Sequence, residues 1–235
     1  MPGYMIHLSV AKEITNLLTQ SNSEHWTTKA TRDFYVGNIL PDIIAPKKLS
    51  HYWDQRQTNN IIKIPHLDKF LINYQTQLSN KQLLGYYCHL YIDKFFYENF
   101  ISQIVCFLDK NNVQTNLLKA ARYAYLYKIN LFIPYSEFWT NKYYYGEFDK
   151  SNAVLQEKCN IDIDKLTETI KNDDYIIRSK ESLLLHRDLE KYLHMHKSGN
   201  LELFSGKDLM LFIKESAYHF IKNNRFLFST NDQVV

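Results

Sequence analysis

From Asn80 to Asp109 the chain carries a single glycine, Gly85, and no proline, and apolar residues cover most of a helical circumference. A segment of that kind has no amphipathic side to leave in water, so it predicts a central, largely buried helix that the rest of the chain packs around. Asn80 supplies its N-cap. The same economy runs through the whole protein: 235 residues hold only 6 Gly and 5 Pro, which favours long helices over turns. Met5, Leu8, Ile14, Leu17 and Leu18 set a helix over 4–20. Ser23 and Gly37 bracket a second over 23–38. Pro65 fits the first turn of a third, running to about Leu78. Further helices are expected over 113–128, 161–171, 178–197 and 207–223, with 134–160 rich in Tyr and Asn and hard to assign. Residues 39–64 read as irregular, because Pro41 and Pro46 interrupt any helix there. No repeat or linker divides the chain. The expectation is one all-α domain over 1–235, with residues past about 130 either part of it or a helical extension.

Composition narrows the function classes. The formal net charge is +3, from 28 basic and 25 acidic residues, too weak to argue for a stable nucleic-acid complex from bulk electrostatics. Cys88, Cys106 and Cys159 are too few and odd in number for a disulfide framework, which suggests a reducing compartment. The opening "MPGYMIHLSVAKE" lacks a basic stretch followed by an apolar core, and no apolar run is long enough to span a membrane. A cytoplasmic protein is the expectation.

The chemistry-bearing residues gather in two words. "VGNILPDIIAPKKLSHYW" places Asp42 and His51 in the irregular segment, and "GYYCHLYIDKFF" places His89 and Asp93 four apart on the central helix. At 3.6 residues per turn the latter two share a face. An acid and an imidazole so placed either form an ordinary side-chain pair or grip a divalent ion. Asp93 stands among large apolar residues, where a carboxylate is costly without a cation or hydrogen bonds. Either a metal ion or a buried His51 or His7 meets that need.

These words, taken in order, resemble the zinc-dependent phospholipase C family, relatives of the single-strand-specific zinc nucleases. The likeness covers about the first 100 residues. It implies a helical zinc enzyme in which Asp42, His51, His89 and Asp93 hold a first zinc, Asp93 bridges to another, and His7 joins Asp93 there. The family's second site also uses a His-x-x-x-Glu pair. "LLLHRDLEKYLHMH" resembles it, with His186, Glu190 and His194 along one helical stripe, although such a stripe also suits a solvated face. The resemblance implies one to three zinc ions and hydrolysis of a phosphoester by metal-activated water, with Asp42 as ligand and catalytic base. The substrate would be a phospholipid head group, a nucleotide or a phosphorylated metabolite. The alternative is a non-catalytic helical protein with one structural metal or none.

Overall fold

The computed structural model describes residues 3–21, 26–44, 46–161, 168 and 199–228. The helices are α1 (Tyr4–Gln20), α2 (Thr28–Ile43), α3 (Lys47–Ser50), α4 (Leu67–Tyr74) and α5 (Lys81–Asn99), followed after a small sheet by α6 (Tyr135–Phe138), α7 (Tyr144–Cys159) and α8 (Gly206–Asn223). The protein is mostly helical, and α5 lies at its centre, packed against α1, α2, α4 and α8. Asn80 caps α5 as the sequence predicts, its side chain accepting from the backbone N–H groups of Gln82 and Leu83. Thr27 caps α2 in the same way through Ala30. Ser205 and Asp208 form a reciprocal capping box on α8.

Helices α2 and α5 cross at very close range. A Cβ placed on Gly37 would lie 2.0 Å from the carbonyl oxygen of Gln82, and one on Gly85 would lie 2.1 Å from that of Phe34. Only glycine fits at either position, and the two backbones meet there with no side chain between them.

Two expectations need correction. First, helix α2 does not stop before Pro41 but runs through it to Ile43. The proline lies in the last turn, so only one ladder bond is lost, and the turn still closes through Ile44 N–H to the Leu40 carbonyl at 3.1 Å. Secondly, the chain is not all-α. The central helix ends at Asn99 rather than near Asp109, and the helix expected over 113–128 is absent. A three-stranded antiparallel sheet stands in their place, β1 (Val105–Leu108), β2 (Tyr123–Leu126) and β3 (Leu131–Pro134), in the order β1-β2-β3. Its register pairs Phe107 with Ala124 and Ala124 with Ile133. Those three side chains are buried and fix the inner face, whereas Tyr125 and Phe132 pair on the outer one. Helix α8 agrees with the sequence reading, and α4 falls within the expected segment but starts at Leu67, after His66 as N-cap, so Pro65 lies just outside it rather than in its first turn. The helices expected over 161–171 and 178–197 fall, apart from residues 161 and 168, outside the described residues. Among the described residues no helix is long and apolar enough to cross a membrane.

Candidate metal centre

Five of the residues singled out in the sequence converge on one buried point. The first turns of α1 carry His7, the last turn of α2 carries Asp42, His51 caps the end of α3, and α5 contributes His89 and Asp93. His7, His51, His89 and Asp93 have no solvent-exposed surface. Asp42 is the most open of the set, its side chain 6% exposed.

Each element positions its side chain for a local reason. The glycine-lined crossing of α2 and α5 brings the Asn38 carbonyl to 2.7 Å from His89 Nδ1. Continuation of α2 through Pro41 swings Asp42 inward, and the Pro41 carbonyl accepts from Ser50 Oγ at 2.8 Å, tying α3 to it. His51 Nδ1 lies 3.1 Å from the Lys47 carbonyl, closing the single turn of α3. Tyr52 then takes a left-handed conformation, φ 53°, which is costly for a bulky side chain. Ring contacts with Phe70 and Tyr86 hold it there, and Tyr86 donates to the Ser50 carbonyl at 2.6 Å. The kink leaves His51 facing inward.

The hydrogen bonds dictate the tautomers. A carbonyl can only accept, so the Nδ1 atoms of His89 and His51 carry the protons, and both Nε2 atoms present lone pairs to the centre. Those Nε2 atoms are 3.3 Å apart. Around them stand only further acceptors. His51 Nε2 is 3.4 Å from Asp42 Oδ1 and 3.6 Å from Asp93 Oδ2, and His89 Nε2 is 3.8 Å from the same Oδ2. Asp93 Oδ1 turns the other way, to His7 Nε2 at 3.5 Å. That contact is too long for a hydrogen bond, and both oxygens of Asp93 and both ring nitrogens of His7 are buried without one. His7 stacks on His89 with ring centroids 3.8 Å apart.

Buried carboxylates and imidazoles with so few hydrogen bonds are costly unless something pairs with them, and a cation is one such partner. Two overlapping sets, His7/His89/Asp93 and Asp42/His51/His89, have donor atoms close enough to hold a metal ion. The electrostatics agree. Burial, with His7 next, pushes the His89 imidazole down to about 3, so it is neutral at pH 7 as a ligand must be. Burial alone would raise the Asp42 carboxyl, but His51, His89 and Lys47 outweigh it and hold it well below the usual carboxylate range. Asp93 follows the same pattern, with His7, His89 and His51 opposing burial.

Two features were missed in the sequence. Tyr97 continues the His89–Asp93 stripe at the next i+4 position, a spacing that was open to reading. Burial, with the Asp93 charge next, raises its hydroxyl pKa. Tyr144 on α7 is raised by burial and then by Tyr97 and Asp93, so a second buried phenol adjoins the acid. Lys47 is the other. Its half-exposed ammonium sits 3.1 Å from Asp42 Oδ1, at the edge where the cluster meets solvent. The expected ligands His186, Glu190 and His194 lie outside the described residues. Comparison with protein-family models, curated proteins and solved structures finds no match.

Proposed function

We propose that the protein is a zinc-dependent phosphoester hydrolase. The observation that carries this is the buried cluster itself: three histidines and two aspartates facing one another, with both oxygens of Asp93 and both ring nitrogens of His7 lacking hydrogen-bond partners. A tetrahedral ion with nitrogen and oxygen ligands at about 2.0–2.1 Å has ligand edges of about 3.3–3.4 Å. The contacts from His51 Nε2 to His89 Nε2, Asp42 Oδ1 and Asp93 Oδ2, at 3.3, 3.4 and 3.6 Å, are close to that size, and the one from His89 Nε2 to Asp93 Oδ2 is longer at 3.8 Å. Imidazole and carboxylate also suit zinc. Asp42, His51 and His89 would hold one ion, and Asp93 and His7, beside His89, would hold a second.

Zinc at such a site supplies an acidified water and neutralises charge on a phosphoryl group. The protein's own residues do the rest. The Nδ1–H bonds to Asn38 and Lys47 carbonyls orient His89 and His51. Asp42, the most open of the five, would take the proton of the attacking water as the ester P–O bond breaks, a weak base there because its neighbours hold its carboxyl low. Lys47 beside it suits an anionic substrate arriving by that edge. A closed four-ligand structural ion is the competing reading, since four donors can fill a tetrahedral shell. The test is hydrolysis of bis-p-nitrophenyl phosphate by chelator-treated protein with zinc restored stepwise. Turnover that rises with zinc and disappears in Asp42→Asn supports the proposal. Zinc uptake without turnover supports the structural ion and sinks the enzyme.

A further inference from the structure

We propose that the outer face and rims of the three-stranded sheet dock on anionic phospholipid bilayers. Among the described residues, most of the exposed large apolar side chains lie between Val113 and Phe132. Phe132 is 58% exposed, Leu117 54%, Leu118 47% and Tyr127 45%. Tyr125 packs between Phe132 and Tyr127 on the outer face, tilted against the first at 4.6 Å and edge-on to the second at 5.3 Å, and Ile129 and Leu131 stand exposed at the β2–β3 turn. Concentration of apolar surface in one small region marks an interaction site rather than scattered surface leucines.

The charge of the same region selects the partner. Between Val105 and Pro134 the cations are Lys110, Lys119, Arg122 and Lys128, all exposed, against the single acid Asp109. The Asp109 carboxylate is turned onto its own loop, accepting from Asn111 and Val113 N–H at 2.8 and 3.0 Å. Four positive charges and one negative give this segment +3, although Lys128 shares a groove with Asp208 and Glu215, so Lys110, Lys119 and Arg122 carry most of the surplus. Tyrosines, aliphatic tips and surrounding Lys and Arg are the composition that settles at a bilayer interface, rings at head-group level and cations on the phosphates. A second copy of the same face would bring like charge onto like charge. Single-stranded nucleic acid would use the rings but gains nothing from Leu117, Leu118 and Leu131.

The surface is joined to the metal centre. Leu118 N–H donates to the Asn59 carbonyl and Ile61 N–H to that of Asn116, both at 2.8 Å. The same loop continues to Lys63, whose ammonium lies 5.2 Å from the Trp53 ring, which in turn sits 5.4 Å from His51.

The test is co-sedimentation with phosphatidylcholine vesicles with and without phosphatidylserine, over a salt series, in the presence of chelator. Wild-type protein is expected to sediment with the anionic vesicles and to release as salt rises. Each cation is worth roughly fivefold in partitioning, so Lys119→Glu/Lys128→Glu is expected to lose at least tenfold. Phe132→Ser is expected to weaken binding without abolishing the salt dependence. Asp93→Asn, which should lack metal, is expected to bind vesicles as wild type does, so failure of the hydrolase reading would leave this result standing. Absence of wild-type binding to anionic vesicles overturns the proposal. So do binding unchanged in both surface variants, tighter binding to a single-stranded oligonucleotide, and a concentration-dependent dimer that buries the face. Circular dichroism confirms folding of each variant, and the wild-type salt series decides alone if one fails to fold.

Discussion

Gly85→Ala is the sharpest perturbation of the site that touches none of its ligands. The added methyl carbon would sit 2.1 Å from the Phe34 carbonyl oxygen and 3.0 Å from both Asn38 N and Gly37 Cα. All three are backbone atoms, so no side chain can swing away. Restoring ordinary contact requires α2 and α5 to part by about 1 Å, in an interior that yields little. The bond from His89 Nδ1 to the Asn38 carbonyl, 2.7 Å, spans the same crossing and would stretch beyond hydrogen-bonding range. Overpacking costs about 1–3 kcal/mol, and the lost buried bond about 1 kcal/mol more. Alanine recovers up to about 1 kcal/mol of helix propensity. The net is a destabilisation of about 1–3 kcal/mol. At this chain length that lowers Tm by about 3–10 °C. Loss of the contact that orients His89 should also weaken metal binding by about 10–100-fold. Scanning calorimetry of the metal-free protein and zinc titration against a chromophoric chelator measure the two effects. A variant with wild-type Tm and wild-type zinc affinity would refute the reasoning about the crossing.

Lys47→Met removes the ammonium that competes for Asp42 Oδ1, so zinc affinity should rise by a few fold, a modest effect because Lys47 is half-exposed; equal affinities would show that Lys47 does not contest the site. Glu147→Ala should cost about 2–3 kcal/mol, because one buried oxygen of Glu147 accepts from Glu202, Leu203 and Phe204 N–H and anchors the entry to α8 on α7; an unchanged denaturation midpoint would contradict this. Acid should destabilise the metal-free protein through His89. Its folded pKa lies near 3, below the unfolded value of about 6.5, so the unfolded chain binds the extra proton first. Stability therefore falls as pH drops from 6.5 towards 3, by at most about 1.4 kcal/mol per unit. Urea midpoints at pH 7 and pH 5 in chelator measure it, and a drop of the same size in His89→Gln would assign the effect elsewhere.

Much of the site could be read from the sequence, and the part that could not is physically distinct. The i,i+4 spacing of His89 and Asp93 needs only the helical period, and α5 forms because its N-cap and its lack of breakers agree with that pattern. The shared site of His7, Asp42 and His51 came from the order of short words, not from periodicity. The carbonyls of Asn38 and Lys47 that set the tautomers belong to the backbone, which no residue type advertises. The sheet was missed for a different reason. "VCFL" is a short apolar run that helix and strand share, and 113–128 offers apolar residues at helix-like intervals. What makes β2 a strand is its pairing with Phe107 on one side and Ile133 on the other, a tertiary fact.

The central claim is that the buried cluster holds metal. Elemental mass spectrometry on protein purified without chelator or polyhistidine tag, beside the Asp93→Ala variant, measures it directly. The account predicts at least one zinc per chain in the wild type and its loss in the variant. Protein that takes up no metal when zinc is offered, or a variant that keeps the full complement, would contradict it.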